Sequence, residues 1–129
     1  MGQQQLLLIV LGVIIVGIAV VVGINVFTAS SYQANQDAVV SDLTNLAAMS
    51  QQYYRKPEAL GGGGNKFDGW DIPANLKTTA NGSYSRVITS SDVVTLTGTG
   101  TESDQDGNLV TVTMVVHPDS IYSTTFGTP

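Results

Sequence analysis

The chain has 129 residues, no cysteine and a formal net charge of −5. That length holds one domain of ordinary size, and the missing cysteines exclude disulfides and thiolate metal sites. The acidic balance argues against a nucleic-acid surface, which needs clustered Lys and Arg to meet phosphates; here the five basic residues Arg55, Lys56, Lys66, Lys77 and Arg86 are mostly scattered.

The first element is apolar without interruption. Residues 6–24 are only Leu, Ile, Val, Ala and Gly, and no charge of either sign precedes Asp37. About 20 apolar residues at ~1.5 Å each cross a bilayer's hydrocarbon core, so residues 6–27 are long enough to span one. A secretory signal peptide starts with positive charge and has a shorter apolar core; this chain starts with Met1, Gly2, Gln3, Gln4 and Gln5. An ordinary single-pass anchor has flanking Lys or Arg to set its orientation, and none lies near here. A charged leader, cut away after insertion, is one physical route to the same result.

Past Phe27 the pattern becomes periodic. Tyr32, Val39, Leu43, Leu46, Ser50 and Tyr53 recur at three- and four-residue steps, with Val40, Ala47 and Tyr54 beside them, which is one face of an amphipathic helix. No proline occurs before Pro57, and the basic pair Arg55 and Lys56 suits a helix C-terminus. The expectation is one helix over residues 4–54, roughly 75 Å long, with Gly12, Gly17 and Gly23 as its weak points. So long a helix needs partners along its length. Phe27, Tyr32, Tyr53 and Tyr54 at helical spacing read as core or interface packing rather than as an electron path.

Next come Gly61, Gly62, Gly63 and Gly64, then Phe67, Trp70 and Pro73: a glycine hinge followed by aromatics spaced to dock onto something apolar. Lys66 after a glycine run does not make a phosphate loop, because the Gly-Lys-Ser/Thr ending is missing. From Gly82 the sequence alternates and is rich in Val, Ile, Thr and Tyr. Four strands are expected, over residues 84–89, 93–99, 109–116 and 121–126, with short turns that imply an antiparallel meander. One face, drawn from Val94, Leu96, Val110, Val112, Met114, Val116 and Ile121, covers the helix's Val39, Leu43 and Leu46 stripe. The Ser- and Thr-rich face meets water.

The predicted fold class is thus α+β: a long N-terminal α-helix, apolar then amphipathic, packed on a small four-stranded antiparallel sheet. Residues 1–27 and 28–56 are its two helix halves, 57–80 the hinge and aromatic loop, and 81–129 the head.

Candidate chemistry is sparse. His117 is the single histidine and precedes Pro118 at a strand end, the place of a surface residue rather than a base or ligand. Asp104 and Asp106 before Gly107 resemble a fragment of a calcium loop, but the downstream bidentate glutamate is missing and the segment reads as a hairpin turn. Asn81-Gly82-Ser83 fits the N-glycosylation pattern, and the exposed threonines are candidate O-glycosylation sites. No cofactor is expected, nor an enzyme.

An apolar helix that runs on into an amphipathic half and a small β-domain resembles the type IV pilins and pseudopilins, over the whole layout of the chain. The resemblance implies a structural subunit of an extracellular filament. It would be held in the inner membrane before assembly, and self-association would pack Leu6, Leu7, Ile9, Val10, Val13, Ile14, Gly17, Val20, Val21, Ile24 and Phe27 in the filament core. It also implies a prepilin peptidase, an assembly ATPase and a membrane platform as partners. Met1 is the first residue of the mature chain in one register; in another Gly2 precedes the cleavage point and Gln3 leads. Gln5 stands where the family carries a glutamate, and a glutamine hydrogen-bonds but cannot neutralise an N-terminal amine. Gln3, Gln4 and Gln5 are instead expected to form an uncharged polar cluster, satisfying one another and the first free N–H groups of the helix. The competing reading is a membrane-anchored β-domain that binds a partner as a monomer.

Overall fold

In a computed structural model describing residues 2–127, helix α1 runs without a break over Gly2–Arg55, one to two residues longer at each end than expected. It carries a five-stranded antiparallel sheet in simple chain order: β1 (Thr78–Thr79), β2 (Gly82–Ser90), β3 (Val93–Ser103), β4 (Leu109–Val116) and β5 (Ile121–Phe126). The fold is α+β as the sequence implied, with one strand more than the four expected. β1 is two residues long, too short to show alternation, and exists by pairing Thr78 with Ser83 and Thr79 with Gly82. A single-turn 3-10 segment (Glu58–Leu60) and a one-turn helix α2 (Ala74–Lys77) occupy the connection that precedes it.

The core forms where α1 crosses β3 and β4. Every second residue of those strands turns inward, placing Val94, Leu96, Val110, Val112, Met114 and Val116 at no more than 1 % exposure against Val39, Leu43, Leu46 and Ala47. Val39, Leu43, Leu46 and Ala47 are the helical half of one apolar cluster, and Phe67, Trp70 and Ile72 close it from the connecting loop, as the aromatic spacing predicted. Ile121, expected on the buried face, is instead 40 % exposed. The β4–β5 register slips between Val115 and Val116, and β5 lies beyond the strands that α1 covers.

Two glycines set how closely helix and sheet approach. A Cβ on Gly98 would stand 2.7 Å from Val39 Cγ1, and one on Gly100 would run into Asn35 Oδ1. Strand residues with side chains would therefore lift α1 off β3. The glycine run after the helix is used in the same way, for close approach. Gly63 N donates to Tyr53 O (2.8 Å), Gly64 N to Lys56 O (3.0 Å) and Asn65 N to Tyr54 O (2.7 Å). These bonds satisfy carbonyls that a helix end otherwise leaves free. A Cβ on Gly62 or Gly63 would strike the backbone of Lys56 or Lys66 respectively.

Candidate functional site

The two halves of α1 differ in what surrounds them. Across residues 6–27 every large aliphatic or aromatic side chain is more than half exposed, from 53 % at Leu11 to 73 % at Phe27. The 18-residue window of highest hydropathy averages 3.3 and is 0 % buried. The residues assigned to filament packing, from Leu6 to Phe27, all belong to this uncovered surface. Gly12, Gly17 and Gly23 have open space where a Cβ would stand, so no close approach among the described residues calls for them. Gln3, Gln4 and Gln5 form the first helical turn and are exposed. Met1, read as a mature start, lies outside the described residues.

From Asn35 onward the helix is held by polar contacts that its apolar stripe did not reveal. Asn35, 9 % exposed, donates from Nδ2 to Asn81 O (2.9 Å) and accepts at Oδ1 from the N–H groups of Thr101 (3.0 Å) and Glu102 (3.2 Å). Those two N–H groups sit where the β3–β4 ladder is interrupted, between Thr99 and Ser103. Asn35 thus takes over backbone donors that the interruption leaves free, which lets β3 run past the residue where it was expected to end.

Two helical turns further on, Asp42 Oδ2 accepts from Thr79 Oγ1 (3.3 Å), Asn81 Nδ2 (3.1 Å) and the Tyr84 hydroxyl. Burial, reinforced by the bond to Asp42, pushes the Tyr84 phenol well above the usual tyrosine range. Asn81, the glycosylation candidate, therefore has its amide nitrogen engaged, and its carbonyl is held by Asn35. The sequence clue to both helical residues was their spacing: Asn35, Val39, Asp42 and Leu46 share one face. A polar residue on such a stripe is easily taken for solvent-facing.

At its far end α1 is tied to two turns. Gln51 Nε2 donates to His117 O (3.1 Å), and the Tyr54 hydroxyl donates to Asp92 Oδ1 (3.0 Å), which raises the Tyr54 pKa. Tyr54 also packs on Phe67 with centroids 5.0 Å apart, and the Tyr53 hydroxyl donates to Asp68 O. These tyrosines hold the loop to the helix. His117 stacks on Tyr122 at 5.0 Å beside a tight turn closed by its own N–H and carbonyl.

The Asp104–Gly107 turn is closed by its first carboxylate. Asp104 Oδ1 accepts from Asp106 N and Asn108 N, both at 2.9 Å. Those bonds are what a hairpin turn asks of an aspartate. Among the described residues no group of three or more His, Cys, Asp or Glu is gathered to hold a metal.

No protein-family model, curated protein or solved structure matches the chain. What bears on function is therefore the layout itself: a long apolar N-terminal helix continued into an antiparallel sheet.

Proposed function

We propose that this chain is a structural subunit of an extracellular filament of the type IV pilus kind, with the apolar helix halves packed in a core and the β-heads forming the outer surface. The observation that carries the reading is the contrast along α1. A charge-free surface, 0 % buried in its most apolar window, continues without a linker into a segment fixed to the sheet by Asn35, Asp42 and Tyr54. A tether for a freely moving head needs no such continuity. A subunit that must hold its head at a set height on a shared core does.

Before assembly the same surface suits lipid, since residues 6–27 match a bilayer's hydrocarbon thickness. Moving from lipid into a helical core gains no hydrophobic free energy, so close packing and an assembly machine must drive the transfer. A prepilin peptidase, an assembly ATPase and a membrane platform belong to this reading through the resemblance. The second reading, a membrane-anchored β-domain acting as a monomer, is favoured by helix length and hydropathy alone. Electron microscopy of material sheared from cells making the chain separates the two: filaments containing it are expected, and their absence, with the protein retained in membranes, establishes the anchor.

A further inference from the structure

Beside the Asp42 cluster lies a groove of about 340 Å³ between α1 and the segment leading into β1, lined by Asp42, Asn45, Leu46, Met49, Leu76 and Tyr84 among others. Its walls are mainly apolar, and Met49 is 37 % exposed within it. The three donors that reach Asp42 all use Oδ2, so Oδ1 is the oxygen left for an occupant. An apolar trough with one acidic acceptor fits an occupant that is apolar and carries a cation.

The chain itself has such a group. Lys77 and Arg86 lie 3.1 and 3.5 Å from Asp71, and Arg55 donates to Pro118 O. Lys56 and Lys66 have no acidic partner among the described residues. Lys56 directly follows α1 and leads into the 3-10 turn, where Leu60 is 66 % exposed. Glu58, the acid of that turn, folds over Gly64. This tip lies at the far end of the same helix and cannot reach its own groove.

We propose that the groove is a socket for a second copy of the chain, receiving the tip where α1 ends, with Lys56 against Asp42 Oδ1 and Leu60 against Met49 and Leu76. The proposal rests on the filament reading. It fixes a stagger: parallel helices that bring residue 56 of one copy beside residue 42 of the next are offset by roughly 21 Å.

The absence of cysteine makes the test clean. Asn45→Cys combined with Ala59→Cys, oxidised in filaments, is expected to give a ladder of disulfide-linked multimers, whereas each single variant stops at dimers or monomers. Separately, Asn45→Lys places a cation three residues from Asp42 on an exposed helix face, where it competes for the carboxylate. Asn45→Lys and Lys56→Gln are each expected to lower filament yield several-fold with the head's melting temperature unchanged. Their combination should be no worse than either alone, because both remove one contact. Double-cysteine filaments that form but give no ladder on oxidation, or Asn45→Lys and Lys56→Gln chains that assemble at wild-type yield, overturn the socket. Absence of wild-type filaments overturns the filament reading instead, and the socket with it.

Discussion

The two halves of α1 share one unbroken backbone and have opposite surroundings. Residues 35–50 bury a stripe against β3 and β4, and three of its members, Val39, Leu43 and Ser50, reach 0 % exposure. Residues 6–27 are more apolar and bury nothing. Apolar content alone therefore does not decide what is core. The C-terminal half is amphipathic, so one sheet face satisfies it; the N-terminal half is apolar all round, and only surroundings on every side can do so. One half is completed by its own chain; the other is left uncovered by it.

Breaking the N-terminal half should have the largest effect and leave the head untouched. Ile14→Lys puts a charge at the middle of the apolar stretch, where insertion scales set the cost at about 2.5–3.5 kcal/mol. We expect loss of membrane-inserted protein and of filaments, with the head's thermal unfolding unchanged. A shift in the head's melting temperature would show that the halves are energetically coupled. The converse change is Leu43→Ala, fully buried between helix and sheet. It should destabilise the head by about 2–5 kcal/mol in denaturant unfolding, while the apolar half still partitions into membranes.

Smaller, and more informative about the junction, is Asn35→Ala. It strands the N–H groups of Thr101 and Glu102 and the carbonyl of Asn81, at a cost of about 1–3 kcal/mol. Hydrogen exchange should rise first at Thr101 and Glu102; uniform exchange across the sheet would mean that Asn35 is not a local clamp.

Asn35 also marks where sequence reading stops. The helix, the strands from β2 to β5 and the Val39, Leu43 and Leu46 stripe were legible because apolar periods of 3.6 and 2 report them directly. β1 was not, since two residues have no period. Gly98, inside the strand expected over residues 93–99, and Gly100, just past it, let α1 lie close to β3, a role that no apolar period reports. Ile121 alternates correctly, but alternation does not reveal that the helix stops short of β5. Of the candidate assembly surface, sequence displayed all the apolar residues and nothing that covers them, because no described residue of the chain does so.

The smallest effect expected is a dependence on alkaline pH at the Asp42 cluster. Burial first, and then the hydrogen bond to Asp42, hold the Tyr84 phenol well above its ordinary value of 10.0. The folded state thus keeps this proton where the unfolded chain would release it. The stabilisation is fully present below pH 10 and is lost as pH rises from there toward the folded-state value. Tyr84→Phe keeps the ring and loses the bond to Asp42, which should cost about 1 kcal/mol at pH 7. Denaturant midpoints measured from pH 7 to 11 should show the wild-type advantage over Tyr84→Phe shrinking above pH 10. Tyr54 is also raised, chiefly by its hydrogen bond to Asp92, but that bond is exposed to solvent, so Tyr54→Phe should leave most of that alkaline loss in place. An advantage that stays constant to pH 11 would place the Tyr84 hydroxyl in solvent rather than in the junction, and would remove one of the three donors that hold Asp42 beside the groove.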